Sequence, residues 1–293
     1  MALSEPIFRI RPQEMTPPPA QPLLSVAEGT DYVALVSSVL APLGGMAAFV
    51  KPGSRVVVKP NIGWDRKPEQ AANTHPDVVK ALVQLALAAG ASQVLVFDRP
   101  CNEARRCYAN SGIQAAVESL NDKRALCTFL DDRKFVPVKI DKGKSLDEFP
   151  FYKDALEADC YINVPIAKSH GEAGLTLGLK NAMGVIGGNR GIIHMDLSKR
   201  IADLNLVIRP RLTVIDATRI LFRHGPTGGN LKDVKVLNTL VASIDPVAAD
   251  AYATTLFDWQ PKDLDATRYA YEMGLGEMDL SKVKVVNTPE KTA

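Results

Sequence analysis

Apolar positions along the chain fall into short runs that alternate between two periods. Residues 55–59 (RVVVK) form a β-branched run with no polar interruption, the pattern of a strand covered on both faces. The runs 93–98 (QVLVFD), 160–165 (CYINVP), 211–216 (RLTVID) and 237–244 read the same way, with shorter strands expected at 126–129, 136–140 and 283–286. Between them apolar residues return at spacings of three and four, the period of a helix. Val33, Leu35, Val36, Val39 and Leu40 give such a face to 31–41, which Pro42 ends. Val78, Val79, Leu82, Leu85 and Leu87 do so for 76–89, with Thr74 as N-cap, Pro76 in the first turn and Gly90 as the stop. Further helices are expected at 104–108, 113–120, 196–208, 245–256 (with Asp245 as N-cap) and 264–273. Residues 175–186 read as a helix despite Gly178 and Gly184, which signal close packing. Residues 141–150 read as a charged, solvated loop, and 151–156 as a turn or two of helix.

The order strand, helix, strand between 55 and 98 is a βαβ crossover, so the expected fold class is α/β: a mostly parallel sheet flanked by helices, in one domain or two lobes. Residues 1–22 hold six prolines and read as an extended arm; the domain is expected over 23–287, with a tail at 288–293. In such sheets ligands sit outside the carboxyl ends of the strands. Lys59 and Asn61, Asp98, Lys168 and His170, Asp216 and His224, and Asp245 and Asp250 all fall at or just after predicted strands, so that edge is where they can converge.

The stretch 163–194 stands out within this outline. It contains His170 and His194, Lys168 and Lys180, Asn163 and Asn181, and seven of the chain's 20 glycines. Short polar clusters separated by small or apolar residues suit the floor of a pocket. Lys168, His170, Lys180 and His194 are the candidate catalytic residues. Lys59, Asn61, His75, Asn181 and Gly225, with Arg190, are candidates for binding a carboxylate or phosphate. Asp98, Asp216, His224 and Asp250 are candidates to hold a divalent metal or relay protons. A lysine beside other cations is a nucleophile in waiting. The loop 225–230 (GPTGGN) offers backbone N–H groups to a phosphate, although it matches neither common nucleotide fingerprint.

Composition narrows this little. Apolar residues are 46% and charged residues 23%, ordinary for a globular protein, and the net charge of +2 gives no bulk field for nucleic acid. No apolar run is long enough to span a bilayer, and the first residues lack the apolar core of a secretory signal. The expected location is therefore the cytoplasm, with export after signal removal as the alternative. Cys101, Cys107, Cys127 and Cys160 form no C-x-x-C pair, so no iron–sulfur or zinc motif is expected within the chain. Cys101 and Cys107 can pair if the protein is exported.

The blocks VVVKPNIGWD, AANTHPDVVKALV, AKSHGEAGLTLGLKNAMGVIG, HMDLSKRIADLN, LTVIDATRILFRHGP and ASIDPVAADAYA together resemble the domain-of-unknown-function family 362, over roughly 56–286. The resemblance implies motif residues at Lys59, Pro60, Asn61, Thr74, His75, Pro76, Asp98, Lys168, His170, Lys180, Asn181, Gly184, His194, Asp216, Gly225, Pro226, Asp245 and Asp250. It also implies an association with iron–sulfur modules, which some members carry, as some carry twin-arginine export signals. The unit from Thr74-His75-Pro76 through the following strand is similar, at the level of fold, to the amino-terminal part of lactate-racemase-like proteins. Three readings follow: an enzyme acting on a small anionic substrate, with or without a metal; an accessory protein that binds a ligand, a metal or a redox partner protein; and a plain scaffold. The last is disfavoured, because buried clusters of Lys, His and Asn are costly to retain without use.

Overall fold

The computed structural model describes residues 21–289; most of the expected proline-rich arm and the last residues of the expected tail lie outside the described residues. In chain order the elements are β1 (Leu23–Glu28), α1 (Tyr32–Leu40), β2 (Arg55–Pro60), α2 (Pro76–Ala88), β3 (Gln93–Val96), α3 (Ala104–Asn110), α4 (Ile113–Glu118), β4 (Ala125–Cys127), β5 (Phe135–Lys139), β6 (Glu148–Tyr152) and α5 (Lys153–Leu156). They continue with β7 (Cys160–Val164), β8 (Ile166–His170), β9 (Gly174–Thr176), α6 (Gly178–Asn181), α7 (Leu197–Val207), β10 (Leu212–Leu221), β11 (Val234–Ser243), α8 (Pro246–Thr255), α9 (Asp265–Glu272) and β12 (Lys284–Pro289).

Ten strands form one mixed sheet in the order β12-β1-β11-β10-β7-β2-β3-β4, with β8 and β9 branching from β10; β5 and β6 form a separate hairpin. Most pairings are parallel; β11 runs antiparallel to both its neighbours, and β9 to β8. The fold is thus α/β with a mostly parallel sheet. Its strands are apolar on both faces because both are covered. Val56 and Val58 pack with α1, α2 and α4 on one side, while Val57 on the alternate face packs with Phe97, Tyr161 and α7.

The topology positions the site. From β2 the chain steps to β3 and on to β4 on one flank, whereas β7 lies on the other flank of β2. The strand order therefore reverses between β2 and β7, which opens a crevice outside their carboxyl ends. Lys59 and Asn163 are register partners at that point. The next strand, β8, pairs with the far half of β10, where Lys168 is the register partner of Leu221, and so carries Lys168 onward from the end of β7.

Several expectations need correction. The long helix over 175–186 is instead a strand ending, the single turn of α6 and a 3-10 turn at Ala182–Val185. Close approach breaks it: a Cβ on Gly184 would run into Asp98 Oδ1 and Lys59 Nζ, and one on Gly178 would stand 2.7 Å from Asp250 Oδ1. Residues 166–170, read as pocket floor without an element of their own, form the strand β8, and its Lys168 and His170 line the cavity. β10 does not stop at Asp216, because β8 and β11 pair its backbone on both sides well past that residue. His75, not Thr74, caps α2: its Nδ1 accepts from the Asp77 N–H at 3.1 Å, while the Thr74 hydroxyl donates to the Val164 carbonyl at 2.7 Å. Part of the expected solvated loop is β6, and the Lys144, Ser145 and Leu146 N–H groups before it donate to the buried Asp203 carboxylate.

Candidate functional site

Lys59, buried near the end of β2, places its ammonium 2.8 Å from Asp98 Oδ1 and donates to Asn181 Oδ1 at 2.7 Å. Asp98 lies just beyond β3, and its other oxygen accepts from the Ile62 N–H at 2.6 Å. Asn181 on α6 donates to Asn163 Oδ1 at 2.8 Å, and Asn163 in turn donates to the Gly178 carbonyl at 2.9 Å. Lys168 on β8 donates to the Ala72 carbonyl at 2.6 Å and to Asn61 Oδ1 at 3.1 Å. Lys59, Asn61, Asn163, Lys168 and Asn181 thereby become one connected polar floor, assembled from β2, β7, β8, α6 and the loop after β2. The short α6 is held from behind by Asp250 of α8, whose carboxylate accepts the Gly178 and Leu179 N–H groups at 2.7 and 2.9 Å.

Above this floor lies a cavity of about 490 Å³. Its wall includes five basic side chains (Lys59, Arg99, Lys168, Lys180, Arg190) and two acidic ones, Asp98 and Glu172. Both acids are spent locally: Asp98 on Lys59, and Glu172 on His194 in a very short contact. Arg190 reaches the Arg99 and Pro100 carbonyls at 2.7 and 2.8 Å, and Arg99 reaches those of Ile186 and Gly188, so neither guanidinium is neutralised by a carboxylate there. The cavity is a cationic well.

Burial shapes the acid–base chemistry of this well. It pushes the Lys168 amine down to about 7 and the Lys180 amine down to about 8. It also lowers Lys59, against the pull of Asp98. His170 is pushed down to about 3, by burial first and then by the charges of Lys180 and Lys168, so its imidazole is neutral at physiological pH. Its Nδ1 accepts from the Glu172 and Ala173 N–H groups at 3.1 and 3.2 Å, which places the remaining proton on Nε2 as a donor.

The structure brings together Lys59, Asn61, Asp98, Lys168, His170, Lys180, Asn181, His194 and Gly225 around this one cavity. It does not bring in His75, Asp216, His224 or Asp250. His75 stacks on Tyr32 with ring centroids 4.2 Å apart, and its backbone N–H donates to Asp216 at 2.7 Å. Asp216 also accepts from Thr218 at 2.6 Å, and Arg219 lies 3.7 Å away. His224 is a largely exposed side chain paired with Asp233 at 2.9 Å. The four residues read as metal ligands are thus apart, each engaged with another partner. Among the described residues, no three His, Cys, Asp or Glu side chains gather as a metal-holding group. The 225–230 loop contributes Gly225, Pro226 and Thr227 to the wall; the Gly225 N–H donates to Ser169 Oγ, the Gly228 N–H donates to the His224 carbonyl and Pro226 has no N–H, so these three positions offer a phosphate no backbone donor. Cys101, Glu172 and Met183 also line the cavity, and sequence reading did not assign them to it. Cys101 was within reach of that reading, since it follows a strand-end Asp98-Arg99-Pro100.

The four cysteines are free thiols, so the Cys101–Cys107 pairing is not formed. No helix among the described residues is long and apolar enough to cross a membrane.

The family model described as Domain of unknown function (DUF362) matches residues 56–255, and the chain belongs to that family. It is 28% identical over 263 residues to the thylakoid-associated protein sll1697 of Synechocystis sp., covering 85% of this chain and 77% of that protein. Among solved structures it is similar to the lactate racemase apoprotein from Thermoanaerobacterium thermosaccharolyticum, with a TM-score of 0.43 and 14% identity over 75% of this chain. It spans 54% of the length of that protein.

Proposed function

We propose that this member of the DUF362 family is an enzyme that binds a small anionic substrate in the cationic well at the β2/β7 crevice. The observation that carries the reading is the charge imbalance of the wall. Its two acids are consumed by Lys59 and His194, leaving Lys168, Lys180 and Arg190 to face an incoming carboxylate or phosphate. A well of this volume suits a small molecule. The division of labour follows from the contacts. Lys59 and Lys168 are positioned by oxygen acceptors, with Lys168 charged below about pH 7, Arg190 offers a planar donor set, and neutral His170 supplies an Nε2–H toward a substrate oxygen. The separated positions of Asp98, Asp216, His224 and Asp250 favour a reading in which these side chains do not form a shared metal site.

The test is a binding and turnover screen of small carboxylates and phosphates. Arg190→Gln and His170→Ala are expected to keep the wild-type melting temperature to within a few degrees while losing affinity or turnover. Saturable binding without turnover of any bound compound would instead favour a ligand-binding accessory protein. Anion affinity unchanged in Arg190→Gln and Lys168→Met would remove the proposed site.

A further inference from the structure

The three lysines of the well differ in what they touch. Lys59 is held by Asp98 and Asn181, and Lys168 by Asn61 and the Ala72 carbonyl. Both amines are anchored between oxygen acceptors and held away from free approach. Lys180 is not. Its Nζ lies 3.3 Å from the Met183 thioether sulfur, a weak acceptor, and no oxygen acceptor lies within hydrogen-bonding reach of it among the described residues. The side chain lines the cavity and keeps some exposed surface there. An amine deep in a cationic well, without an acceptor to stabilise its ammonium, is arranged as a nucleophile.

We propose that Lys180 is the covalent residue of this site, forming an imine with the carbonyl carbon of a small 2-oxo acid whose carboxylate is held by Arg190 and Lys168. The inference rests on the anion-binding reading above and adds the substrate class: a compound with an electrophilic carbonyl next to a carboxylate. In the step, the lone pair of the neutral Lys180 amine forms a C–N bond as the C=O π bond breaks, and the oxygen takes up one proton from the nitrogen to give a carbinolamine. Loss of the second nitrogen proton to that hydroxyl lets it depart as water, the C–O bond breaks, and the C=N bond is left. Nothing is oxidised or reduced. The Nε2–H of His170, a neutral donor on the same wall, can stabilise the developing oxyanion. The lowered basicity of Lys180 agrees with this role: near pH 8 about half of it is the free amine, against roughly one in 300 for an ordinary lysine.

The experiment treats the full chain with glyoxylate or pyruvate and cyanoborohydride, and maps adducts by peptide mass spectrometry. Lys180 is expected to be alkylated at least tenfold faster than exposed Lys51 and Lys262, with a rate that saturates in oxo acid and is half-maximal near pH 8. The Lys180 adduct is lost in Lys180→Met and in Lys180→Arg, the second of which keeps the charge. Phosphate and acetate slow it by competition. Labelling in proportion to exposure, while phosphate and carboxylates still bind the wild type, would overturn the imine and leave the anion site standing. Absence of both labelling and anion binding would overturn the two together.

Discussion

Replacing Lys59 by methionine isolates the contact on which the site is built. The Lys59 ammonium and the Asp98 carboxylate are 2.8 Å apart, at 0% and 2% exposure. Asp98 Oδ2 has the Ile62 N–H, but Oδ1 has no hydrogen-bond partner beyond the lysine with which it is ion-paired. The methionine keeps the length of the side chain and leaves a buried carboxylate half satisfied. Breaking one side of a buried pair costs about 3–5 kcal/mol. At roughly 2–4 °C per kcal/mol, that lowers Tm by roughly 6–20 °C. Adding Asp98→Asn removes the stranded charge and keeps an acceptor for the Ile62 N–H, so the double variant should recover at least about half of the loss. Urea and thermal melts of the four proteins of this cycle, followed by circular dichroism, measure both effects. A Lys59→Met penalty under about 1 kcal/mol, or a double variant no more stable than the single, would refute this account of the floor.

Three further outcomes follow from the same geometry. Asp250→Asn keeps one acceptor for the Gly178 and Leu179 N–H groups but turns an amide donor on the other; it should cost about 1–3 kcal/mol and weaken anion binding through α6, read by melting and by titration. Gly184→Ala forces a methyl into the Lys59–Asp98 pair, and overpacking there should cost about 1–3 kcal/mol or more in a urea melt. Anion affinity should fall as pH rises through about 7 to 8, because Lys168 and Lys180 lose their charge there and binding must then take up protons, whereas below that range the amines are already charged and uptake vanishes; calorimetry in buffers of different ionisation enthalpy counts the protons.

Much of the site was legible in the residues. The βαβ unit at 55–98 fixed which edge of the sheet mattered, and the polar clusters of 163–194 did converge there with Lys59, Asn61 and Asp98. What misled was the assumption that a polar residue near a predicted strand end faces the crevice. Asp216 lies within β10 and faces the start of α2, where it accepts the His75 N–H; its side-chain partners, Thr218 and Arg219, share its strand. Asp250 looked like a ligand because a buried carboxylate needs a partner, but its partners are two backbone N–H groups of α6, which carry no sequence signature. The broken helix at 175–186 was hidden for a related reason. Its apolar period is helical, and only the contacts of Gly178 with Asp250 and of Gly184 with Lys59 and Asp98 explain why the chain stops and turns. The pairing of Glu172 with His194 joins residues 22 apart and needed the fold to be seen.

The claim that the well binds small anions is tested most directly by isothermal titration of the intact protein at pH 6.5 with pyruvate, oxalate and phosphate, repeated with Arg190→Gln and Lys168→Met. Saturable one-to-one binding of at least one of them, weakened about tenfold or more in both variants, is the predicted result, a loss of about 1.4 kcal/mol for each tenfold. No saturable binding to the wild type, or affinities that the two substitutions leave unchanged, would contradict it.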